Sequence, residues 1–278
     1  MSPGGKGANQ AVAARRLGLP ARMVGRIGRD AGGDLLRASL AVEGVDDGLI
    51  VDPERPTGSA FIMRGPTGRN AIVVSAGANG TTRVEDLNGV PAAAGPTILI
   101  LQLEIPLATT EAAARLGRTR GWYVVLNTAP ALTLRDALVA DVDTLVANEH
   151  EAAQLTGVPV RDAESAVAAA GALRSRGCGV VAVTLGSLGA VLVSDRGSWF
   201  ARAPRVDVVD TTGAGDAFVS ALAIGLSEGR GGADALGFAV AAGSLAVTSP
   251  GAQPSLPCRA DTAALARTVS TIALVGGA

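Results

Sequence analysis

Asp210-Thr211-Thr212-Gly213-Ala214-Gly215-Asp216-Ala217-Phe218 is the point where an apolar run, 206–209, passes through a glycine turn into a helix-like segment. Backbone N–H groups at such a turn point outward without intrahelical partners, and the helix dipole adds positive potential there. Gly213 and Gly215 let an anion approach the backbone closely, so the turn is a ready anion cradle. Asp216 falls in the first helical turn, where the same field is expected to hold it ionised and able to accept a proton. An anion cradle beside a base is what phosphoryl transfer to an alcohol requires. The same residues also read as a plain glycine turn with an acidic residue favouring the dipole.

On either side of this turn, strand-like and helix-like segments mostly alternate, which argues for an α/β fold with a largely parallel sheet. Residues 8–17 read as a helix ended by Gly18, 22–27 as a strand and 34–43 as a helix. Residues 58–64 and 70–75 read as two short strands joined by Gly65-Pro66-Thr67-Gly68-Arg69, a hairpin that interrupts the rhythm and marks 57–75 as a small lid element. The alternation resumes with strand 97–103, helix 107–117, strands 122–126 and 143–147, helices 149–155 and 163–176, and strand 179–185. An antiparallel pair at 190–194 and 198–202 follows, then helices 214–228, 233–247 and 260–269. With no internal repeat or low-complexity linker, residues 1–278 are expected to form one domain carrying the hairpin as a flap.

Composition narrows the function. Of 278 residues 48% are hydrophobic but only 3% aromatic, so the core is built from Ala, Val, Leu and Ile. A net charge of −1 and scattered basic residues give no footprint for nucleic acid. No apolar stretch reaches the length of a membrane span, and the N-terminus lacks the apolar stretch of a signal peptide, so a cytoplasmic protein without a membrane partner is expected. Cys178 and Cys258 have no metal-like spacing and read as reduced thiols. His150 is the only histidine, which argues against histidine triads and multi-histidine metal sites. Lys6 is the only lysine among 24 basic residues, and it lies in a glycine-rich segment.

Other segments have chemistry of their own. Gly4-Gly5-Lys6-Gly7-Ala8-Asn9 precedes a helix and suits a phosphate or a polyol, although it lacks the spacing of a Walker loop. Asn9 offers both a donor and an acceptor for sugar hydroxyls. Glu104 ends a strand, where ligands of open parallel sheets lie, and a solvated strand-end glutamate is the plainer alternative. Asn148-Glu149-His150-Glu151 opens a helix as an N-cap with its N3 partner, or places Glu151 near a Mg²⁺ held partly through water. Thr184-Leu185-Gly186-Ser187-Leu188-Gly189 is a plain turn or a backbone surface for a nucleotide. The loop Val247-Thr248-Ser249-Pro250-Gly251-Ala252-Gln253-Pro254-Ser255 is rich in oxygen and suits a monovalent cation.

Taken in order, these segments, with Gln10-Ala11-Val12-Ala13-Ala14, Gln102-Leu103-Glu104 and Leu126-Asn127-Thr128-Ala129-Pro130-Ala131, resemble the ribokinase (PfkB-type) family of sugar kinases up to about residue 257. The resemblance implies a three-layer α/β/α fold and ATP-dependent transfer of the γ-phosphoryl group to the 5-hydroxyl of D-ribose. Fructose, deoxyribose or a nucleoside are alternative acceptors, and an inactive sugar- or nucleotide-binding protein is the alternative outside catalysis. It further implies that Asp216 is the catalytic base, and that Gly213, Ala214 and Gly215 form the anion hole. Gly5, Lys6, Gly7, Ala8, Asn9 and Glu104 would bind the sugar. Asn148, Thr184, Leu185, Gly186, Ser187, Leu188, Gly189, Gly215 and Val240 would line the ATP site. Glu151 would be linked to Mg²⁺, and Asp210, Thr212, Ala246, Ser249, Gly251 and Ser255 would surround K⁺.

Members of the family usually carry a longer stretch ahead of the glycine–lysine motif, which here is preceded by three residues. The resemblance assigns to that stretch a first core strand, a further sugar contact and part of the lid. An unpaired slot in the sheet and a weakened sugar site are therefore expected. A homodimer formed through the lid is possible in such a family, and the missing lid strands put it in doubt.

Overall fold

The computed structural model describes residues 1–64, 70–90 and 95–274. The chain begins with α1 (Lys6–Arg16), β1 (Arg22–Gly28), α2 (Ala31–Val42), β2 (Asp46–Asp52), and the hairpin strands β3 (Ser59–Arg64) and β4 (Asn70–Ser75). Next come β5 (Ile98–Leu101), α3 (Leu107–Thr119), β6 (Tyr123–Asn127), α4 (Asp136–Ala140), β7 (Thr144–Asn148), α5 (Glu149–Thr156), α6 (Ala163–Arg174) and β8 (Val180–Thr184). The chain continues with β9 (Gly189–Ser194), β10 (Gly197–Arg202), α7 (Ala214–Ser227), α8 (Gly232–Ala246), α9 (Arg259–Ala266) and β11 (Thr271–Leu274). The connecting turn of the hairpin, 65–69, lies outside the described residues.

A seven-stranded sheet in the order β11-β10-β9-β8-β7-β6-β5 forms the middle layer. Strands β5 to β8 run parallel, and β9, β10 and β11 extend the sheet as antiparallel neighbours. Period-two alternation divides the strands between two cores. Val125, Val146, Ala182 and Leu192 point to one side, against α1, α7 and α8. Val124, Leu126, Leu145, Val181, Val183 and Val191 point to the other, against α3, α4 and α6. Strands covered on both faces read as unbroken apolar runs, which is why β6, β7 and β8 were legible.

Three elements are absent from the sequence reading: β2, α4 and β11. The strand β2 pairs in parallel with β1 as a separate two-stranded sheet, and acidic residues at both of its ends disguised it. The last strand, β11, is specified by its partner β10 more than by its own four residues. The apolar run 206–209 joins no sheet, and Val208 and Val209 stay exposed as the chain passes over α8 toward the glycine turn. Among the described residues β5 is an edge strand of the large sheet, with α1 and α7 packed beside it.

The hairpin is tied down at its root. Asp30, the N-cap of α2, accepts from Gly33 N at 2.9 Å, Thr57 N at 2.8 Å and Thr57 Oγ1 at 2.6 Å. Gly28 N donates to the same Thr57 hydroxyl at 2.9 Å. Arg26 meets Asp86 with two bonds of 2.8 Å, a fork geometry that orients both groups. The end of β1, the start of α2 and the entry to the hairpin are thus one knot.

Both cysteines are free; Cys178 is buried and Cys258 exposed. Burial pushes the Cys178 thiol up to about 11, so it stays protonated and unreactive at ordinary pH. Titration of the folded protein with a thiol reagent at pH 8 should therefore show one fast thiol, Cys258, with Cys178 reacting only after unfolding.

Candidate active site

The parallel strands β5 to β8 all end on one edge of the sheet, and the segments that follow them supply Gln102 and Glu104, Asn127 and Thr128, Asn148, and Thr184. This is the edge where open α/β sheets bind ligands. Two helices open onto the same place. Helix α1 starts after Gly5, at φ 91°, and α7 starts after Gly213, at φ 84°. The first begins at Lys6, two residues ahead of the expected start, so Lys6, Gly7, Ala8 and Asn9 form its first turn.

Asp216, in the first turn of α7, is only 6% exposed. Its Oδ2 accepts from Asn9 Nδ2 at 2.8 Å and its Oδ1 from Gln10 Nε2 at 2.9 Å. Burial raises its pKa above the ordinary aspartate range. The positive charge of Lys6 and the two amide donors oppose that rise, and the negative charge of Glu104 adds to it. The helix field was expected to keep this carboxyl readily ionised. Loss of water around the charge outweighs that help, and Asp216 is a stronger base than a surface aspartate.

Glu104 is no solvated strand end. Its Oε2 accepts from Lys6 N at 2.8 Å, closing an open N–H of α1 across 98 residues of chain. Glu104, Lys6, Asn9 and Asp216 therefore form one group. Asn9 Oδ1 is buried with no hydrogen-bond partner among the described residues. Such an orphan acceptor costs free energy until a donor arrives, and a sugar hydroxyl is a donor of the right kind.

The glycine turn is braced from the far side. A Cβ on Gly213 would sit 3.1 Å from the Ala252 carbonyl oxygen, so only glycine combines this φ with this approach. Asp210 accepts from Thr212 N at 3.0 Å, Thr212 Oγ1 at 2.7 Å and Gly251 N at 3.1 Å. The carbonyl of Val247, just past Ala246 at the end of α8, accepts from Val209 N and Asp210 N. Ser255 Oγ donates to Ala252 O at 2.9 Å, and Ser249 is half-buried in the intervening turn. The segments around Asp210, Thr212, Ala246, Gly251 and Ser255 thus meet directly behind the glycine turn. Among the described residues no cluster of three or more His, Cys, Asp or Glu exists, so a cation here would be held by hydroxyl and carbonyl oxygens around one carboxylate.

Asn148 and Thr184 are register partners at the ends of β7 and β8. Asn148 caps α5 by accepting from His150 N and Glu151 N, and Glu151 Oε2 returns to Asn148 N at 2.9 Å, a full capping box. Thr128 Oγ1 also donates to Glu151 Oε2, at 3.4 Å. Glu151 therefore stands with Asn148 and Thr128 rather than with Asp216. Val240 is 5% exposed within the α8 core. Leu185 is buried, Gly186, Ser187 and Leu188 form a single 3₁₀ turn, and Leu188 is exposed.

Among the polar residues of this site, Gln10, 1% exposed, and Asn127, 8% exposed, carry no role in the sequence reading. Both lie in motif segments, and the usable signal was a long polar side chain inside the alanine-rich face of α1. Gly189 has a structural duty of its own, since at φ 122° a Cβ would run into the Ala201 carbonyl oxygen. Gly189→Ala should cost at least about 2 kcal/mol in urea unfolding. A variant as stable as the parent would leave ligand contact as the reason for this glycine.

The model of the pfkB family of carbohydrate kinases matches residues 1–259. A ribokinase of Haemophilus influenzae is 40% identical over 262 residues, which cover 93% of this chain and 85% of that protein. A deoxyribokinase of Salmonella typhi is 35% identical over 257 residues, 91% of this chain and 84% of that one. The ribokinase of Arabidopsis thaliana, solved in complex with ribose and ATP, superimposes with a TM-score of 0.86 at 34% identity, covering 95% of this chain and 87% of its own. The chain belongs to the pfkB family of carbohydrate kinases.

Proposed function

We propose that this kinase transfers the γ-phosphoryl group of ATP to the 5-hydroxyl of D-ribose, with Asp216 as the base. The observation that carries this reading is the buried Asp216 carboxylate, held by Asn9 and Gln10 beside the backbone N–H groups of Gly213, Ala214 and Gly215, of which Ala214 N also donates to Thr211 O at 3.4 Å. In the loose transition state of phosphoryl transfer there is little covalent chemistry for a protein to perform. Negative charge on the moving group is met by the start of α7, while Asp216 takes the hydroxyl proton as the bond to phosphorus forms.

Lys6, Gly7, Asn9 and Glu104 supply the sugar wall, with the orphan Asn9 Oδ1 awaiting a hydroxyl donor. Asn148, Thr184 and the turn to Gly189 are read as the nucleotide side of the cleft. Both side-chain hydrogen bonds of Glu151 fall on Oε2, so Oε1 would be the oxygen to hold a water of a hydrated Mg²⁺, which neutralises phosphate charge when bound. A K⁺ among Asp210, Thr212, Ala246, Ser249, Gly251 and Ser255 would stiffen the cradle and add to its positive field.

The hairpin is read as the lid of the same domain. Phe61 and Val73 pair across its strands, while Val74 lies on the opposite face, and all three are exposed. One apolar face suits a cover over bound sugar and the other a second copy of the chain. Val74→Asp should abolish any dimer seen by sedimentation; a dimer that survives it would place the interface elsewhere.

Asp216→Asn is the central test. Loss of the base should reduce kcat by roughly a hundred- to ten-thousand-fold, measured as ribose-dependent ADP release. Because the folded carboxyl has a raised pKa, its contribution to stability is full below the unfolded pKa and declines as pH rises toward the folded value. At neutral pH Asp216→Asn should therefore unfold no earlier than the parent, Asn9 turning its spare oxygen toward the new amide. Retention of most of the rate would remove Asp216 as base. In a panel of ribose, deoxyribose, fructose and adenosine, ribose should give the highest kcat/KM, and a higher value for another acceptor would reassign the substrate.

A further inference from the structure

We propose that Gln10 is a positioning residue for the catalytic carboxylate, its side-chain amide held in one orientation by Gln102 and Asn127 so that it presents a donor to Asp216. The inference rests on the reading of Asp216 as the base and adds residues that the reading does not contain.

The hydrogen-bond inventory of Gln10 is complete. Its Nε2 donates to Asp216 Oδ1 at 2.9 Å and to Asn127 Oδ1 at 3.2 Å, which uses both N–H bonds. Its Oε1 accepts from Gln102 Nε2. Turning the amide over would set Oε1 against two oxygens and Nε2 against another N–H donor. Three favourable contacts would become three unfavourable ones, in a site where Gln10 is 1% exposed and water cannot compensate. The backbone is clamped as well, because Ser220 Oγ, one turn beyond Asp216 on α7, donates to Gln10 O at 3.0 Å. Gln10 thus fixes both the spacing of α1 from α7 and the rotation of the carboxylate.

The two oxygens of Asp216 are consequently unequal. Oδ1 is committed to a donor that cannot move. Oδ2 is bound by Asn9, whose own Oδ1 is unpartnered and whose amide is therefore free to adjust to a sugar. The geometry makes Oδ2 the oxygen that receives the alcohol proton. None of Gln10, Gln102 and Asn127 titrates, so the proton cannot pass down this chain and must leave on the Oδ2 side. The charged groups facing Asp216 are Lys6 on α1 and Glu104 after β5, and neither touches Gln10.

The test is the pH dependence of kcat for the purified chain with ATP and ribose, in Gln10→Leu, Gln10→Glu and Gln102→Leu. Gln10→Leu should lower kcat about tenfold, the worth of one charge-assisted hydrogen bond, with KM for ribose and ATP changed less than about threefold. Its acid limb should move to higher pH, because a donor to the ionised form has been removed. Gln10→Glu, which puts an acceptor where the donor stood, should lose more than Gln10→Leu at neutral pH. Gln102→Leu should shift the limb in the same direction by less, and it carries the test should Gln10→Leu fail to fold. Limbs that stay in place in the folded variants, or a loss confined to KM, would overturn the proposal. Asp216→Asn assayed alongside separates the two ideas. If it keeps its rate the base reading falls, and if it is inactive while the limbs stay fixed only the role of Gln10 falls.

Discussion

Taking a carboxylate out of water is tolerated only where hydrogen-bond donors replace its hydration, and Asp216 has its recorded donors from a single helix more than two hundred residues away in sequence. The packing of α1 against α7 is the constraint on which the rest of the site depends. Small residues make it possible. Ala8, Val12 and Ala13 on α1 share a core with Ala217 and Ala221 on α7, so the helices approach closely enough for side-chain amides to reach the carboxylate. A bulkier seam would separate the carboxylate from its donors and leave a buried charge without partners.

The sheet supplies the second constraint. Because β5 to β8 run parallel, their C-terminal ends bring Gln102, Asn127, Asn148 and Thr184 to one edge, and each is delivered by rigid backbone instead of a long loop. The antiparallel strands β9 to β11 lie beyond that cluster and serve as cover for α8. Alternation along the strands keeps the two cores apart. Helices on the α7 side bring Asp216 and its amide donors together, while α5 on the α3 side is capped by Asn148 at the same sheet edge.

Local features were legible and long-range ones were not. The glycine turn at 210–218, the capping box at Asn148 and Glu151, and the apolar strands β6 to β8 could be read because neighbours in sequence determine them. The burial of Asp216 could not be, since it is imposed by α1. The same holds for Glu104, whose use as a cap on Lys6 depends on a partner 98 residues away. In sequence Gln10 stands out only as a long polar side chain in an alanine-rich helix, and the return of α7 across that face buries it. The strand β2 hid behind its aspartates, one of which, Asp52, is buried and spends its charge on Thr81 and backbone N–H groups.

Lys6 combines two properties that have a practical consequence. It is the only lysine of the chain, and it stands at the first turn of α1 with its charge felt by Asp216. Apart from the α-amino group, the protein therefore carries a single amine that mild acylation or reductive methylation can modify, and that amine is at the cleft. An isotope-labelled methyl placed there would give one resonance, free of overlap from other lysines, that reports on sugar and nucleotide as they arrive. An arginine-only surface thus leaves a spectroscopic window open at the one position where it is most informative.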